Sequence, residues 1–344
     1  MVSIKDVARL AGVSPTTVSR VINGTGAASP QTTERVLQAV KTLGYQPNLL
    51  ARSLRVQRSK LLGFLVIDIE SPVFARFAKH VEETATKKGY NLILCNVGEN
   101  PKREKEYLEI LIQRQVEGII FSRVSDESLL YKTPQLSRIP YVVLDRNLEK
   151  EEAPTVKLDN HRAGALAAEH LIALGHRYLA CITGPLTIKI CRERLEGFLE
   201  TAKKKGIPEA NLLVIEGNFK IDGGKAGVEH ILTHPHPPTA IFCMNDLMAL
   251  GALSTIRERG FSVPEDFSVV GLDNTILSEY SFPPLTTVAQ PFDQMARETI
   301  QLLMKLIQGK KIRKREILLP PKLLIRASTA PPKDYGPPLT EGGP

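Results

Sequence analysis

Apolar residues recur at helical spacing along the first 45 positions of the chain. Ile4, Val7, Ala8 and Ala11 fall at i, i+3, i+4 and i+7, one face of a helix. Ser3 stands at its N-cap with Asp6 three residues on, a capping-box spacing, and Gly12 ends it. Ser14 then caps a second helix, with Pro15 in its first turn and Val18, Val21 and Ile22 as its buried stripe. Ser29-Pro30 repeats the start signal for a third helix, which buries Val36, Val40 and Leu43 and stops at Gly44. Helix, glycine-containing turn, helix is the helix-turn-helix pattern.

From Leu61 the pattern changes. Apolar runs of strand length alternate with helical stretches: LLGFLVIDI (61–69), YNLILCNV (90–97), VEGIIFS (116–122) and PYVVLDR (140–146). A second series follows with RYLACITG (177–184), NLLVIEG (211–217), TAIFCMN (239–245) and FSVVGLD (267–273). Continuous apolar strands alternating with helices predict parallel sheets covered by helices on both faces. Two such series predict two similar lobes. The expected fold class is an all-α helix-turn-helix head joined to an α/β body of two doubly wound parallel-sheet lobes.

Composition adds little, but the distribution of charge adds a good deal. The chain has 344 residues, 42% hydrophobic and 24% charged, and no apolar run of membrane-spanning length. MVSIKDVARL carries an acid at Asp6 and no long apolar core, so it is expected not to be a secretory signal. The four cysteines (Cys95, Cys181, Cys191, Cys243) show no paired spacing, which suits reduced thiols in a cytoplasmic protein. Of a net charge of +8, residues 1–60 hold +7, from nine Lys or Arg against Asp6 and Glu34. A basic head on a near-neutral body predicts polyanion contact confined to the head.

The ordered series IKDVARLAGVSPTTVSRVIN, SPQTTERVLQAVKTLGYQPN and ARSLR resembles the DNA-binding head of the lactose-repressor family of bacterial regulators. The match runs through residues 3–60 almost without gaps. The resemblance implies that the second helix enters the major groove. Its outer face shows Pro15, Thr16, Ser19, Arg20 and Asn23, with Thr17 beside them. Arg20 can make a bidentate contact to a guanine edge, and the threonines offer a hydroxyl and a methyl. Ser14, Asn23, Ser29, Thr32 and Tyr45 match phosphate-binding positions of the family, which set register. Thr33 departs from the arginine common in relatives.

On composition alone, YQPNLLARSLRVQRSK (45–60) is an ordinary charged linker, broken at Pro47 and Asn48. The resemblance implies instead a hinge that folds into a short helix on DNA and enters the minor groove as a pair. Leu54 matches the residue that wedges between base pairs, and Ala51 the small residue that allows close approach. Arg52 and Arg55 can reach phosphate or groove edges. Unstacking a base step costs a few kcal/mol, recovered through added contact with bent DNA. The operator centre is therefore expected to be a flexible pyrimidine–purine step.

The body resembles the periplasmic sugar-binding-protein fold that the family joins to its head. The implied organisation is a head (1–46), a hinge (47–60), an N-terminal lobe (61–158 and 291–320) and a C-terminal lobe (159–290 and 321–330). The tail 331–344, eight of fourteen residues Pro or Gly, is expected to be disordered. With one leucine it cannot form the leucine-heptad bundle that makes some relatives tetramers, so a homodimer is expected.

The motifs searched for catalysis are missing: no Gly-x-Ser-x-Gly, no His-Glu-x-x-His and no phosphate loop. DGGKAG (222–227) reads as a helix start and HPHPP (234–238) as a surface loop. No enzyme activity, cofactor or metal is expected. The strands do carry polar residues at their C-terminal ends, where open α/β sheets bind ligands. Asp145 and Arg146 end VVLDR, Asn245 ends AIFCMN, Asp273 ends VVGLD, Gln290 ends TTVAQ and Arg194 begins RLEGF. Each alone reads as a helix cap or surface residue. Together, acids, amides and forked arginines suit the hydroxyls of a sugar, and Phe74 and Phe219 suit its C–H faces.

With Ser71, these positions match the family's effector site and resemble the pentose pattern of ribose-binding proteins. Val73 departs from it, standing where sugar binders often carry a second Phe. A pentose, a hexose or its phosphate, and a purine all remain open as ligands. The resulting expectation is a cytoplasmic repressor of a carbohydrate-use operon, binding a pseudo-palindromic operator and released by a sugar. The alternatives are a corepressed regulator, a sugar-binding transport protein and a sugar-metabolising enzyme.

Overall fold

The computed structural model describes residues 2–24, 26, 28–45, 58–98, 100–122, 139–145, 153–312 and 314–333. It divides into two compact units, Met1–Ser59 and Lys60–Pro344.

The first unit holds three helices: α1 (Ile4–Ala11), α2 (Pro15–Asn23) and α3 (Pro30–Leu43). Each begins where a short polar side chain satisfies an otherwise orphaned N–H. Asp6 accepts from the Ser3 N–H at 2.9 Å and the Ser3 hydroxyl at 2.7 Å. Ser14 Oγ accepts from the Thr17 N–H (3.1 Å) and Ser29 Oγ from the Thr32 N–H (3.2 Å). The helices end at Gly12, Gly24 and Gly44, all left-handed. Val7, Ala8, Ala11, Val18, Val36 and Ala39 form the small core, with Val21, Ile22, Val40 and Leu43 partly buried against it.

The second unit contains two six-stranded sheets. In the N-terminal lobe the strands are β1 (Leu61–Val66), β2 (Asn91–Asn96), β3 (Gly118–Phe121), β4 (Tyr141–Leu144), β5 (Thr155–Leu158) and β11 (Glu316–Leu319). Their order is β11-β5-β4-β3-β1-β2 and every pairing is parallel. The helices of this lobe are α4 (Pro72–Thr86), α5 (Pro101–Gln113) and α11 (Phe292–Ile307).

The C-terminal lobe orders its sheet β12-β10-β9-β8-β6-β7. Its strands are β6 (Leu179–Thr183), β7 (Leu212–Glu216), β8 (Ala240–Cys243), β9 (Ser268–Asp273), β10 (Thr286–Ala289) and β12 (Lys322–Leu324). Its helices are α6 (Asn160–Ala173), α7 (Lys189–Lys204), α8 (Ile221–Leu232), α9 (Asp246–Glu258) and the short α10 (Ile276–Tyr280). The chain passes between the sheets after β5, after β10 and after β11. The last passage, through Pro320 and Pro321, sends β12 back antiparallel to β10, the one antiparallel pairing described.

Lobe interiors match the apolar runs. Phe64, Phe77, Ile120 and Phe292 fill one core; Phe198, Phe242, Ile182 and Met248 fill the other. All four cysteines are free thiols in these interiors. Among the described residues, no helix is long and apolar enough to cross a membrane, and no cluster could hold a metal ion. Of the tail, only residues 331–333 are described; Lys333 pairs with Asp266 at 2.7 Å.

Candidate functional site

The head offers the N-terminal half of α2 to solvent. Pro15, Thr16 and Arg20 are exposed, while Thr17 and Ser19 are half-buried. The Thr17 hydroxyl lies 2.9 Å from Ser14 Oγ, so it is engaged in the cap. The Arg20 stem lies over Gly26, where an added Cβ would sit 3.1 Å from Arg20 Cδ. Gly26 thus leaves the stem a lane that no local motif announced. Ser29 is exposed, with Thr32 and Tyr45 half-buried; Ser29 Oγ donates to Thr32 Oγ1 at 2.9 Å. The side chain of Asn23 lies outside the described residues, as do Asn48, Ala51, Leu54 and Arg55 of the expected hinge.

In the body, a cavity of about 680 Å³ opens between the C-terminal ends of the two sheets. Eight of the nine cleft positions picked out in the sequence line it: Ser71, Phe74, Asp145, Arg194, Phe219, Asn245, Asp273 and Gln290. Arg146 lies outside the described residues. From the N-terminal lobe, Ser71 stands at the N-cap of α4, and Phe74, one turn on, is buried with its lobe's core. Val73 and Ile67 line the cavity beside them.

Backbone geometry aims several of these groups. Asp145, Phe219, Asp273 and Asn274 all have positive φ, at 74°, 63°, 120° and 56°. Such conformations are uncommon for residues with a side chain and persist only where surroundings hold them. The Phe219 ring lies where a Cβ on Gly184 would stand, 2.3 Å from the ring edge, so only glycine there admits the ring. Asn245 caps α9, accepting from the Met248 N–H at 2.9 Å, and donates to the Phe219 carbonyl at 2.7 Å. It is a helix cap, and in that role it holds Phe219 in place.

Arg194 is buried on α7. Its Nε donates to Asn160 Oδ1 and its Nη1 to the Met244 carbonyl, both at 2.8 Å. Nη2 has no partner among the described residues. α6 and α7 cross so closely that a Cβ on Gly164 would lie 1.9 Å from the Arg194 carbonyl oxygen, and one on Gly197 equally near the His161 carbonyl. Two glycines therefore bring Arg194 within reach of Asn160. Gln290 donates through Nε2 to Asp273 Oδ1 at 2.7 Å, and its buried Oε1 has no hydrogen-bond partner.

The floor of the cavity carries buried acids. Burial pushes the Asp273 carboxyl well above the usual range; the neighbouring Asp246 and Asp145 add to this, against Arg194 and the Gln290 hydrogen bond. Asp246, behind it, is also pushed up, to about 6, mainly by burial, with hydrogen bonds from Thr287 and Thr275 and the charge of Arg326 opposing. It accepts from Thr287 Oγ1 at 2.7 Å, and from the Thr275 N–H and Oγ1 at 2.6 and 3.0 Å.

This buried carboxylate organises the bend after β9. Asn274 N donates to Thr287 Oγ1 at 3.3 Å, and Arg326 Nη2 donates to Asn274 Oδ1 at 2.7 Å. The Asn274 carbonyl accepts from Arg76 of α4, whose guanidinium also stacks 4.8 Å from the Phe292 ring. Arg76 thus ties the N-terminal lobe to the residue beside Asp273. Lys157 makes a second tie, 3.3 Å from Glu316 of its own lobe and 4.0 Å from Glu193 of α7. No local sequence pattern announces these ties, because each joins positions far apart in the chain.

Comparison with known proteins agrees with this two-part plan. Residues 3–48 match the model of the bacterial regulatory proteins of the lacI family, and residues 168–329 match a periplasmic binding protein-like domain. The transcriptional repressor PurR of Photobacterium profundum is 37% identical over 95% of this chain and 98% of its own. A crystal structure of the lac repressor dimer bound to operator and the anti-inducer ONPF is 30% identical, covers 96% of this chain and 99% of its own, and superposes with a TM-score of 0.86. A lacI-family regulator from Enterococcus faecium with bound ribose is 32% identical, covers 79% of this chain and all of its own, and has a TM-score of 0.72. The chain belongs to the lacI family of bacterial regulatory proteins. It is a DNA-binding transcriptional repressor with an effector-binding domain, and its relatives are transcriptional regulators rather than enzymes.

Proposed function

We propose that this repressor works as a cytoplasmic homodimer on a pseudo-palindromic operator of a carbohydrate-use operon, and that a small sugar releases it. The observation that carries the ligand class is the pairing of unmet groups on the cleft. Arg194 Nη2 is a donor without an acceptor, and buried Gln290 Oε1 is an acceptor without a donor. A hydroxyl group can serve both, since it donates one hydrogen bond and accepts others. Asp273, fixed by Gln290, adds a carboxyl group for the same kind of partner. Phe219 and Phe74 supply apolar faces for ring C–H groups. A pentose such as ribose is the first candidate, supported by the ribose complex of the Enterococcus regulator. Ser71, Asp145 and Arg146 complete the proposed effector set.

On the DNA side, we assign base reading to Thr16 and Arg20, with Pro15, Thr17, Ser19 and Asn23 against the groove. Phosphate contact falls to Ser14, Ser29, Thr32, Tyr45 and Asn48. Ala51, Leu54 and Arg55 form the minor-groove hinge, with Leu54 as the wedge. Dimer formation is supported by an exposed apolar patch around α10: Ile276 is 60% exposed, Tyr280 77% and Phe282 83%. Patches of this kind mark association surfaces.

A thermal-shift series of pentoses, hexoses and purines tests the ligand class. A sugar binder gains RT ln(1+[L]/Kd) in stability, so one sugar should raise the midpoint in a saturable way. Asp273→Ala should abolish that gain while leaving operator binding intact. A gain from purines alone would reject the sugar reading.

A further inference from the structure

We propose that the base of the N-terminal lobe is a second DNA-contacting surface, which grips backbone phosphates outside the bases read by the head. The inference rests on the DNA-binding reading of the head. Every strand of this sheet runs parallel, so all six begin at one end, opposite the cavity. That end is also where the chain arrives from the DNA-binding unit, through Lys60 into β1.

The described loops at this end carry Lys60, Lys87, Lys88, Arg114, Lys310, Lys311, Lys314 and Arg315. Their one acid is Glu117, and its carboxylate is turned to accept from the Lys60 N–H at 2.8 Å and the Tyr90 hydroxyl at 2.9 Å. Lys310, Lys311 and Lys314 are exposed, and none is in an ion pair among the described residues.

A plainer role exists for part of the cluster. Lys87, Lys88 and Arg114 follow the ends of α4 and α5, where cations complement the helix dipole. That effect fades within the last turn. It does not account for KKIRKR (310–315), which begins beyond Gly309, itself left-handed and past the end of α11. Lys310, Lys311 and Lys314, three exposed ammonium groups within five residues, repel one another unless an anion lies against them. The polyanion to which this chain is already committed is DNA. Each phosphate neutralised releases counterions and steepens the salt dependence of binding.

The test uses the full-length protein and the triple variant Lys310→Gln/Lys311→Gln/Lys314→Gln. Binding is measured against salt on two duplexes: one ending at a selected operator, and one extended by a helical turn on each side. Both proteins should bind the short duplex alike, which shows the head intact. On the long duplex the wild type should bind more tightly, and its log–log salt slope should exceed that of the variant by roughly 1 per lysine engaged. Equal slopes on the long duplex would overturn the proposal. So would wild-type binding that ignores duplex length, the result expected if the rim serves a phosphoprotein. Equal loss by the variant on both duplexes would also overturn it, by locating the damage in the head or hinge. If the wild type fails on the short duplex, the reading of the head itself falls.

Discussion

Asp246 has no exposed surface, yet it accepts three hydrogen bonds and sets the bend that carries Asp273 and Asn274. Its folded-state pKa, raised from 3.8 to about 6 by burial, has a definite sign for stability. The folded state binds the proton more tightly than the unfolded chain. This contribution is therefore fully present below about pH 4 and lost as pH rises through about 6. The span is worth up to roughly 3 kcal/mol at 1.4 kcal/mol per unit. The difference in thermal midpoint between wild type and Asp246→Asn should shift in favour of wild type as pH falls from 7.5 to 5. A pH-independent difference would show that Asp246 is already protonated or fully compensated at neutral pH. Nothing local marks this residue, since Asn245-Asp246 reads as an ordinary helix start.

At the scale of elements, the crossing of α6 and α7 is the one most closely tied to the site. Gly164→Ala would press a methyl group against the Arg194 carbonyl, where backbone, not a flexible side chain, must give way. Overpacking of this kind costs about 1–3 kcal/mol. Urea unfolding of the body should show that loss. Calorimetry should show weaker effector binding as Arg194 moves off Asn160, with operator affinity of the head unchanged. Unaltered effector affinity would separate the crossing from the site.

Elements with a strong pattern were legible in the sequence: the three head helices, their serine caps and glycine stops, and the strands within the eight continuous apolar runs. The strands β5, β11 and β12, reading TVKL, EILL and KLL, were not. Each carries a charged residue that interrupts the apolar run, and β5 hides Lys157 by pairing it with Glu316 and Glu193. The cleft positions were legible because polar residues end apolar strands. Those at the start of α8 were not: Lys220 at its N-cap and Asp222 in its first turn line the cavity, although DGGKAG reads only as a helix start. The Arg76–Asn274–Arg326 network has no local signature at all.

On the scale of the whole molecule, the two lobes meet at the cleft and are joined by the contacts of Arg76 and Lys157. A ligand held by Asp273 and Gln290 on one side and Ser71 and Phe74 on the other must favour one lobe arrangement. Only such differential binding can move an equilibrium. Such coupling is reciprocal: if a sugar weakens operator binding as proposed, operator DNA weakens sugar binding by the same factor. The most direct test is a titration of the stabilising sugar into a preformed operator complex, with operator affinity read at each concentration. Operator affinity should fall saturably by roughly 5–150-fold, the usual range for such coupling, matched by an equal fall in sugar affinity when DNA is bound. Operator affinity that holds steady or rises with sugar would contradict it.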